Sequence, residues 1–259
     1  MIVFEIRYPG TWIALDDRDR AWKLGNFLSL LEHQVTDAFV SLNLFQAARV
    51  QPRAAIGREQ WQADADLRRA IETDIRKEFG LDEFGGPWEQ VREEVERRIM
   101  RRRCEAGEMP SSYSFRLPFL HAHSFLYAVD GFGKALSKLA REIDVPSAVN
   151  DVLVDFQAAF PGITDVRDSA QHLEDRSRGL GRKEKPLKLK PLVNEFINAP
   201  GGGVLMLGNL SNDKLGYTTA SGQHAEIPIN IDSARTIQTL FQRVLDSFSW
   251  QGSSRLLPN

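Results

Sequence analysis

The sequence predicts a mainly α-helical fold, a helical bundle with a small antiparallel β meander inserted before the last helix. In four long segments, apolar residues recur every three or four positions, as the buried face of a helix requires. Substantial β patterning occurs only between residues 204 and 229. With 259 residues, of which 42% are hydrophobic, the chain is long enough for one large core. We therefore expect a single domain over residues 1–259.

The N-terminal fifth of the chain predicts a strand followed by a long helix. Residues 2–8 are typical of a strand that Pro9 and Gly10 close. Asp16 or Asp17 is a suitable N-cap for the helix, which Pro52 would end. The apolar stripe of this helix consists of Leu24, Leu28, Leu31, Val35, Ala38, Phe39 and Leu42.

Two polar helices are predicted next, over residues 58–79 and 88–104. The second has glutamates in its early turns and five arginines between Arg97 and Arg103, a polarity that suits the helix macrodipole. The arginines are either a solvated helix end or a patch that binds nucleic acid.

The second half of the chain predicts the apolar helices of the bundle. Residues 110–113 are expected to form a loop before a helix over residues 117–142. Pro146 would open a further helix, which ends at Pro161 and Gly162. Thr164 would cap the helix after that.

A basic loop (176–200) and the β meander (204–229) are predicted before the last helix. Glycines, prolines and basic residues dominate residues 176–192. In the meander, turn residues separate three apolar runs that begin at Val204, Leu215 and Ala225. Asp232 or Ser233 would then cap the last helix.

Composition and missing motifs narrow the functional classes. The net charge of −2 provides no global field that attracts nucleic acid or an acidic membrane. The N-terminus does not resemble a signal peptide, and no apolar run is long enough to span a bilayer. A phosphate-binding P-loop, a dinucleotide fingerprint and a nucleophile elbow are missing, and the one cysteine indicates no zinc site. We expect a cytoplasmic protein that is not bound to a membrane and that uses no cofactor and no metal ion.

Residues 167–172, Arg-Asp-Ser-Ala-Gln-His, are the strongest candidate for a catalytic site. On a helix, Asp168 and His172 are four apart and meet, so the carboxylate would orient the imidazole. Arg167, in the first turn, supplies a planar guanidinium that suits phosphate. In the alternative interpretation, Arg167 forms a salt bridge with Asp165 or Glu174, and the motif has only a structural role.

An arginine, a polar residue, three further residues and a histidine, late in a helical bundle, resemble the motif of HEPN-domain proteins. The resemblance covers roughly residues 117–180 and the final helix. Arg116 and His121 have the same spacing, but the second residue there is Leu117, which is not polar. Many proteins of this family are metal-independent endoribonucleases, toxins or antiviral effectors that form a composite cleft by homodimerising. The resemblance therefore implies RNA as substrate, a second copy of the chain and an antitoxin or other partner protein.

The proposed roles follow from these groups. RNA carries its own nucleophile, the 2′-hydroxyl, so that His172 would act as general acid or base and Arg167 would stabilise the phosphate. The neighbouring basic residues would hold the RNA backbone, namely Arg176, Arg178, Arg182, Lys183 and Lys185. Two alternatives remain open: a non-catalytic HEPN-like helical module that binds a partner, and a nucleic-acid binder that does not cleave.

Overall fold

The computed structural model describes residues 1–50, 58–82 and 85–258, and over these residues the fold is mainly α-helical, as the sequence predicts. The described helices are α1 (Arg18–Val50), α2 (Arg58–Glu78), α3 (Trp88–Glu105), α4 (Ser111–Leu139), α5 (Ala148–Ala159), α6 (Ile163–Gln171), α7 (Leu173–Ser177) and α8 (Ile231–Ser247). The described strands are β1 (Ile6–Tyr8), β2 (Trp12–Ile13), β3 (Leu192–Val193), β4 (Asn198–Ala199), β5 (Asn209–Ser211), β6 (Lys214–Thr218), β7 (His224–Pro228), β8 (Trp250–Gln251) and β9 (Arg255–Leu257).

The chain divides into two compact units. One consists of Met1–Gln46 and Phe119–Asn259, and the other of Ala47–Pro118. The expectation of one domain over residues 1–259 stays a prediction.

The core of the first unit is built from the apolar stripes that the sequence predicts. All seven residues of the predicted α1 stripe are buried. They belong to one cluster with the apolar faces of α4, α5, α6 and α8. Because burial of each large apolar side chain contributes about 1.5–3 kcal/mol, this cluster is the main stabilising element of the unit.

Helix α1 begins where the sequence predicts, whereas α8 begins earlier. The Asp17 carboxylate accepts the backbone N–H groups of Asp19 and Arg20, at 2.9 and 3.1 Å. The expectation that Asp232 or Ser233 caps the last helix is wrong. Asn230 is the cap, and its side chain accepts the N–H of Ser233 at 3.0 Å.

Helix α4 departs from the prediction at its start. The expected loop over residues 110–113 is wrong, because the helix begins at Ser111 and includes Pro118. A proline in a helix removes one backbone hydrogen bond, but apolar burial further along α4 offsets this cost. No helix in the described part of the chain is both long enough and apolar enough to cross a bilayer.

Strand pairing joins the two ends of the chain. β1 pairs antiparallel with β9, and β2 pairs antiparallel with β8. The sequence predicts a strand over residues 2–8, of which only Ile6–Tyr8 is strand, and it does not predict β2, β8 or β9. Strands of two or three residues are too short to show a period, so only their pairing partners reveal them.

The meander before α8 is present, but its first strand is displaced. β5, β6 and β7 form a three-stranded antiparallel sheet in that order. The expected strand from Val204 is wrong, since β5 begins at Asn209, after Gly208 at φ 109°. β6 and β7 pack against α6, so the meander supports the helix that carries the candidate site.

The second unit contains an antiparallel pair of helices with a small core. α2 and α3 pack through five buried side chains: Ile71, Ile75, Val91, Val95 and Ile99. Ion pairs flank this core, including Arg98 with Glu78 at 2.6 Å and Arg103 with Asp64 at 2.8 Å. Part of the arginine cluster at the end of α3 is therefore already neutralised by carboxylates.

Candidate functional site

The candidate residues lie at the junction of two short helices. Helix α6 begins after Gly162, whose φ of 74° is left-handed and suits glycine. Thr164 lies inside the helix and does not cap it, contrary to the prediction. Val166 and Ala170 face the core, and the helix ends at His172, where φ is −111° and ψ is 46°. His172 thus lies between α6 and α7, and its side chain does not belong to any face of α6.

Arg167 is held by carboxylates. Its Nε donates to Asp130 Oδ2 at 2.9 Å, and its Nη1 lies 2.8 Å from Asp168 Oδ1. Nη1 also donates to Gln171 Oε1 at 2.7 Å. The side chain is only 15% exposed, and neither Asp165 nor Glu174, the partners considered from the sequence, is paired with it. Arg167 therefore fastens α6 to α4, while no described group accepts a hydrogen bond from its Nη2.

Asp130 is the residue of this network that sequence reasoning missed. Its side chain is 5% exposed, accepts the hydroxyl of Thr164 at 2.9 Å and lies 2.7 Å from Lys134 Nζ. The available signal was one carboxylate within the otherwise apolar run from Phe125 to Phe132. Such a group is buried only where cations and hydroxyls compensate it.

The expected pair between Asp168 and His172 is wrong. Asp168 is paired with Arg167, and His172 Nδ1 lies 3.4 Å from Glu174 Oε1. The i, i+4 argument fails because the helix ends before His172, so its side chain does not lie above Asp168. The His172 and Glu174 side chains are 56% and 67% exposed, so the imidazole is open to solvent.

Glu174 is the acidic partner in this exposed dyad. The hydrogen bond from its own backbone N–H lowers the pKa of Glu174 most, and the His172 side chain lowers it further. A carboxylate that stays ionised beside Nδ1 favours the tautomer with the proton on Nδ1, which leaves Nε2 to accept a proton. This is the arrangement that general acid–base catalysis needs.

The same residues offer the one described group that has the spacing for a metal ion. One ligand atom from each of His172, Glu174 and Asp175 lies within 4.8 Å of the others. Three such ligands match the requirement of a divalent cation. His172 and Glu174 are exposed, and exposed groups with this spacing are common without a metal ion.

The predicted RNA-binding residues are not equivalent in the structure. Arg176 is buried, and its Nη1 donates to the carbonyl of Leu180 at 2.6 Å, while Nε contacts the Ser169 hydroxyl. Among the five predicted RNA-binding residues, Arg176 is therefore the one whose side chain is buried. A buried arginine that satisfies a backbone carbonyl holds the turn after α7.

The other four predicted RNA-binding residues are exposed. Arg178 lies 3.9 Å from Asp175, and Arg182 pairs with Asp165 at 3.0 Å. Lys183 and Lys185 have no ion pair among the described residues. This segment is partly structured, with a 3-10 turn at Arg182–Glu184 and a β-bridge between Leu180 and Pro186.

A second set of cations lines a cavity beside Asp130. The cavity has a volume of about 620 Å³, and Phe156 and Phe160 form part of its wall. Lys134, Lys138 and Arg141 contribute three positive charges, and Thr164 and Asp165 contribute the start of α6. The spacing of four and three residues places these cations on one side of α4 and its end. Two carboxylates, Asp130 and Asp165, also line the cavity, so that Asp130 joins it to the Arg167 network and Lys138 and Arg141 are its cations outside that network.

Comparisons of the chain with protein families, with curated proteins and with solved structures gave no match.

Proposed function

We propose that this chain is a metal-independent endoribonuclease of HEPN type. The observation that carries the proposal is the exposed dyad, in which the Glu174 carboxylate lies 3.4 Å from Nδ1 of His172. The resemblance of the motif to HEPN nucleases supplies the reaction class. The exposed cations Lys183 and Lys185 follow the dyad closely in the chain and suit an RNA backbone.

The chemistry uses the 2′-hydroxyl of RNA as nucleophile. His172 accepts the 2′-OH proton, the 2′-oxygen bonds to phosphorus, and the bond from phosphorus to the 5′-oxygen breaks. His172 then returns this proton to the leaving 5′-oxygen, so the products are a cyclic 2′,3′-phosphate and a 5′-hydroxyl. Arg167 stabilises the added charge on the phosphate through Nη2, the donor that no described group engages.

The charge around Arg167 favours a second candidate, a non-catalytic HEPN-like module that binds a partner protein or nucleic acid. Arg167 and Lys134 contribute two positive charges, and Asp130 and Asp168 contribute two negative ones. A cluster without net charge attracts a phosphate weakly, because the guanidinium already has its counter-ions. In this alternative, Arg167 only fastens α6 to α4.

An RNA cleavage assay in EDTA separates the two candidates. The wild-type chain, His172→Ala and the matched control His33→Ala, an exposed histidine on α1, are incubated with mixed RNA. General acid–base catalysis contributes roughly 10²- to 10⁴-fold, so we expect His172→Ala to lose at least about 100-fold of the rate and His33→Ala to keep it. Equal cleavage by all three proteins would contradict the proposal.

Two other outcomes of the cleavage assay would point to a different function or mechanism. Cleavage that EDTA abolishes and Mg²⁺ or Mn²⁺ restores would replace the metal-independent mechanism by one that uses His172, Glu174 and Asp175 as ligands. Absence of cleavage together with salt-sensitive RNA binding would favour the non-catalytic candidate.

We also propose that the active form is a homodimer with composite sites, as the family resemblance implies. Mixing His172→Ala with Arg167→Ala tests this point. If each site takes Arg167 from one copy and His172 from the other, half the dimers are mixed and each has one intact site, which restores about a quarter of the wild-type activity. A mixture that stays inactive would show that each chain carries its own site or that Arg167 acts only in folding.

A toxin or defence effector that cleaves RNA arrests the growth of the cell that expresses it. We therefore propose that induced expression of the wild-type chain stops bacterial growth, whereas His172→Ala at the same protein level does not. Growth arrest by both proteins would contradict a role of cleavage in toxicity. A partner protein that relieves the arrest would have the properties of an antitoxin.

A further inference from the structure

A second cavity lies in the first unit, lined by none of the residues of the candidate ribonuclease site. Its walls come from the end of β1, from the paired strands β2 and β8, and from the first turns of α1. The volume of about 620 Å³ is within the usual range for small-molecule sites. Arg255 of β9 also lines this cavity.

Aromatic side chains dominate this cleft. Three of the five tryptophans of the chain line it, namely Trp12, Trp22 and Trp250, together with Tyr8. Trp12 and Trp22 are 63% and 69% exposed, although large apolar side chains gain free energy by burial. Two exposed indoles at one cleft form a surface on which a flat ring can stack.

The other two aromatic side chains of the lining, Tyr8 and Trp250, are held in place by hydrogen bonds. Tyr8 donates its hydroxyl to Glu32 at 2.7 Å, and the Trp250 indole N–H donates to the Leu245 carbonyl at 2.7 Å. The rings of Tyr8 and Trp250 meet edge to face, with centroids 5.6 Å apart. Burial raises the pKa of Tyr8 most and its bond to Glu32 raises it further, so the hydroxyl stays a donor. This wall is therefore fixed before any ligand arrives.

The charge of the cleft is positive. Its lining residues include two arginines, Arg18 and Arg255, and no aspartate or glutamate. Arg255 lies over the Tyr8 ring at 4.4 Å and within 3.5 Å of Glu32, which partly neutralises it. Arg18 has no ion pair among the residues that the structure describes. Its guanidinium is available to an anion of the ligand.

Gly25 leaves part of the cleft floor open. It lies inside α1, where glycine is less favourable than alanine. Apart from its chain neighbours and the nearby backbone of its own helix, a Cβ at this position would meet no protein atom within 4 Å. Its φ is not in the left-handed region, so neither packing nor backbone conformation requires glycine. Since Gly25 lines the cavity, the space that a side chain would fill is space in the cleft.

We propose that this cleft binds a small molecule with a planar aromatic ring and one anionic group. The ring stacks between Trp12 and Trp22 above Gly25, and Arg18 pairs with the anion. Nucleoside monophosphates and aromatic carboxylates share this chemistry. The inference does not rest on the proposed ribonuclease activity.

Isothermal titration calorimetry tests binding with four probes. They are 5′-AMP, indole-3-acetate, adenosine and inorganic phosphate. We expect saturable binding of 5′-AMP, of indole-3-acetate or of both, and at least tenfold weaker binding of adenosine and phosphate. The stronger of the two anionic probes identifies the source of the ligand. No saturable binding of either, or binding of phosphate as strong as that of both aromatic anions, would overturn the proposal.

Variants localise the binding and separate it from folding. Arg18→Gln removes the unpaired cation, and Lys23→Gln is the matched control on the same helix, outside the cavity lining. Gly25→Leu adds a side chain where a Cβ meets no neighbouring atom within 4 Å and replaces a helical glycine, so we expect an unchanged or higher Tm. Arg18→Gln and Gly25→Leu should each weaken binding at least tenfold and Lys23→Gln less than twofold. Wild-type affinity in Gly25→Leu would contradict binding in this cleft.

Discussion

Replacing Asp130 by alanine removes the buried centre of the network that holds α6 on α4. The Asp130 side chain is 5% exposed and contacts Arg167 at 2.9 Å, Lys134 at 2.7 Å and Thr164 at 2.9 Å. Without it, the guanidinium of Arg167, 15% exposed, loses its most buried partner. Removing one member of a buried ion pair costs about 3–5 kcal/mol, because the remaining charge stays away from water. We expect Asp130→Ala to lower the free energy of unfolding by about that amount.

Asp168→Ala is the matched control, since it removes the other carboxylate of the same arginine. The Asp168 side chain is 32% exposed, so its contact with Arg167 is partly solvated. Exposed ion pairs contribute about 0.2–1 kcal/mol, so this variant should lose no more than that. The double variant Asp130→Leu with Arg167→Met removes both charges and should recover most of the loss, because apolar residues often replace a buried pair without a net cost.

Urea unfolding followed by near-ultraviolet circular dichroism measures these differences, and hydrogen exchange of the α6 amides localises them. Because the chain has two compact units, a biphasic curve is analysed through the transition that Asp130→Ala shifts. A loss below about 1 kcal/mol for Asp130→Ala, or equal losses for both single variants, would refute the reasoning. Failure of the double variant to exceed Asp130→Ala in stability would show that unpaired charge is not the cause.

Three further outcomes are expected. Gly133→Ala should lower the free energy of unfolding by about 1–3 kcal/mol, because a Cβ there overlaps the Phe156 ring. Thermal or urea unfolding measures this loss, and wild-type stability would refute the close packing. The side-chain pKa of Glu174, measured by NMR, should lie below its ordinary value and rise only partly in His172→Ala, because its own backbone N–H is the larger cause; full recovery would contradict that order. Ile75→Ala should lower the free energy of unfolding of the second unit by about 2–5 kcal/mol and raise amide exchange in α2 and α3 more than in the first unit. A uniform rise in exchange would show that the two units unfold together.

The long helices were predictable because their physics is local. A buried helix face needs apolar residues at every third or fourth position, and α1 shows this pattern from Leu24 to Leu42. The cap at Asp17 follows from residue type and position. Strand β2 has two residues and no period of its own, so only its partner β8, more than 230 residues away, defines it.

At the candidate site, the sequence identified Arg167, His172 and the basic residues after them. Only the tertiary structure decided their partners. Because α6 ends at Gln171, one residue before His172, the His172 side chain lies beside the Glu174 carboxylate and not above Asp168. The buried partner of Arg167 is Asp130, 37 residues earlier in the chain. Spacing determines which side chains share a helix face, but ion pairs depend on which helices pack together and on how well each charge is shielded from water.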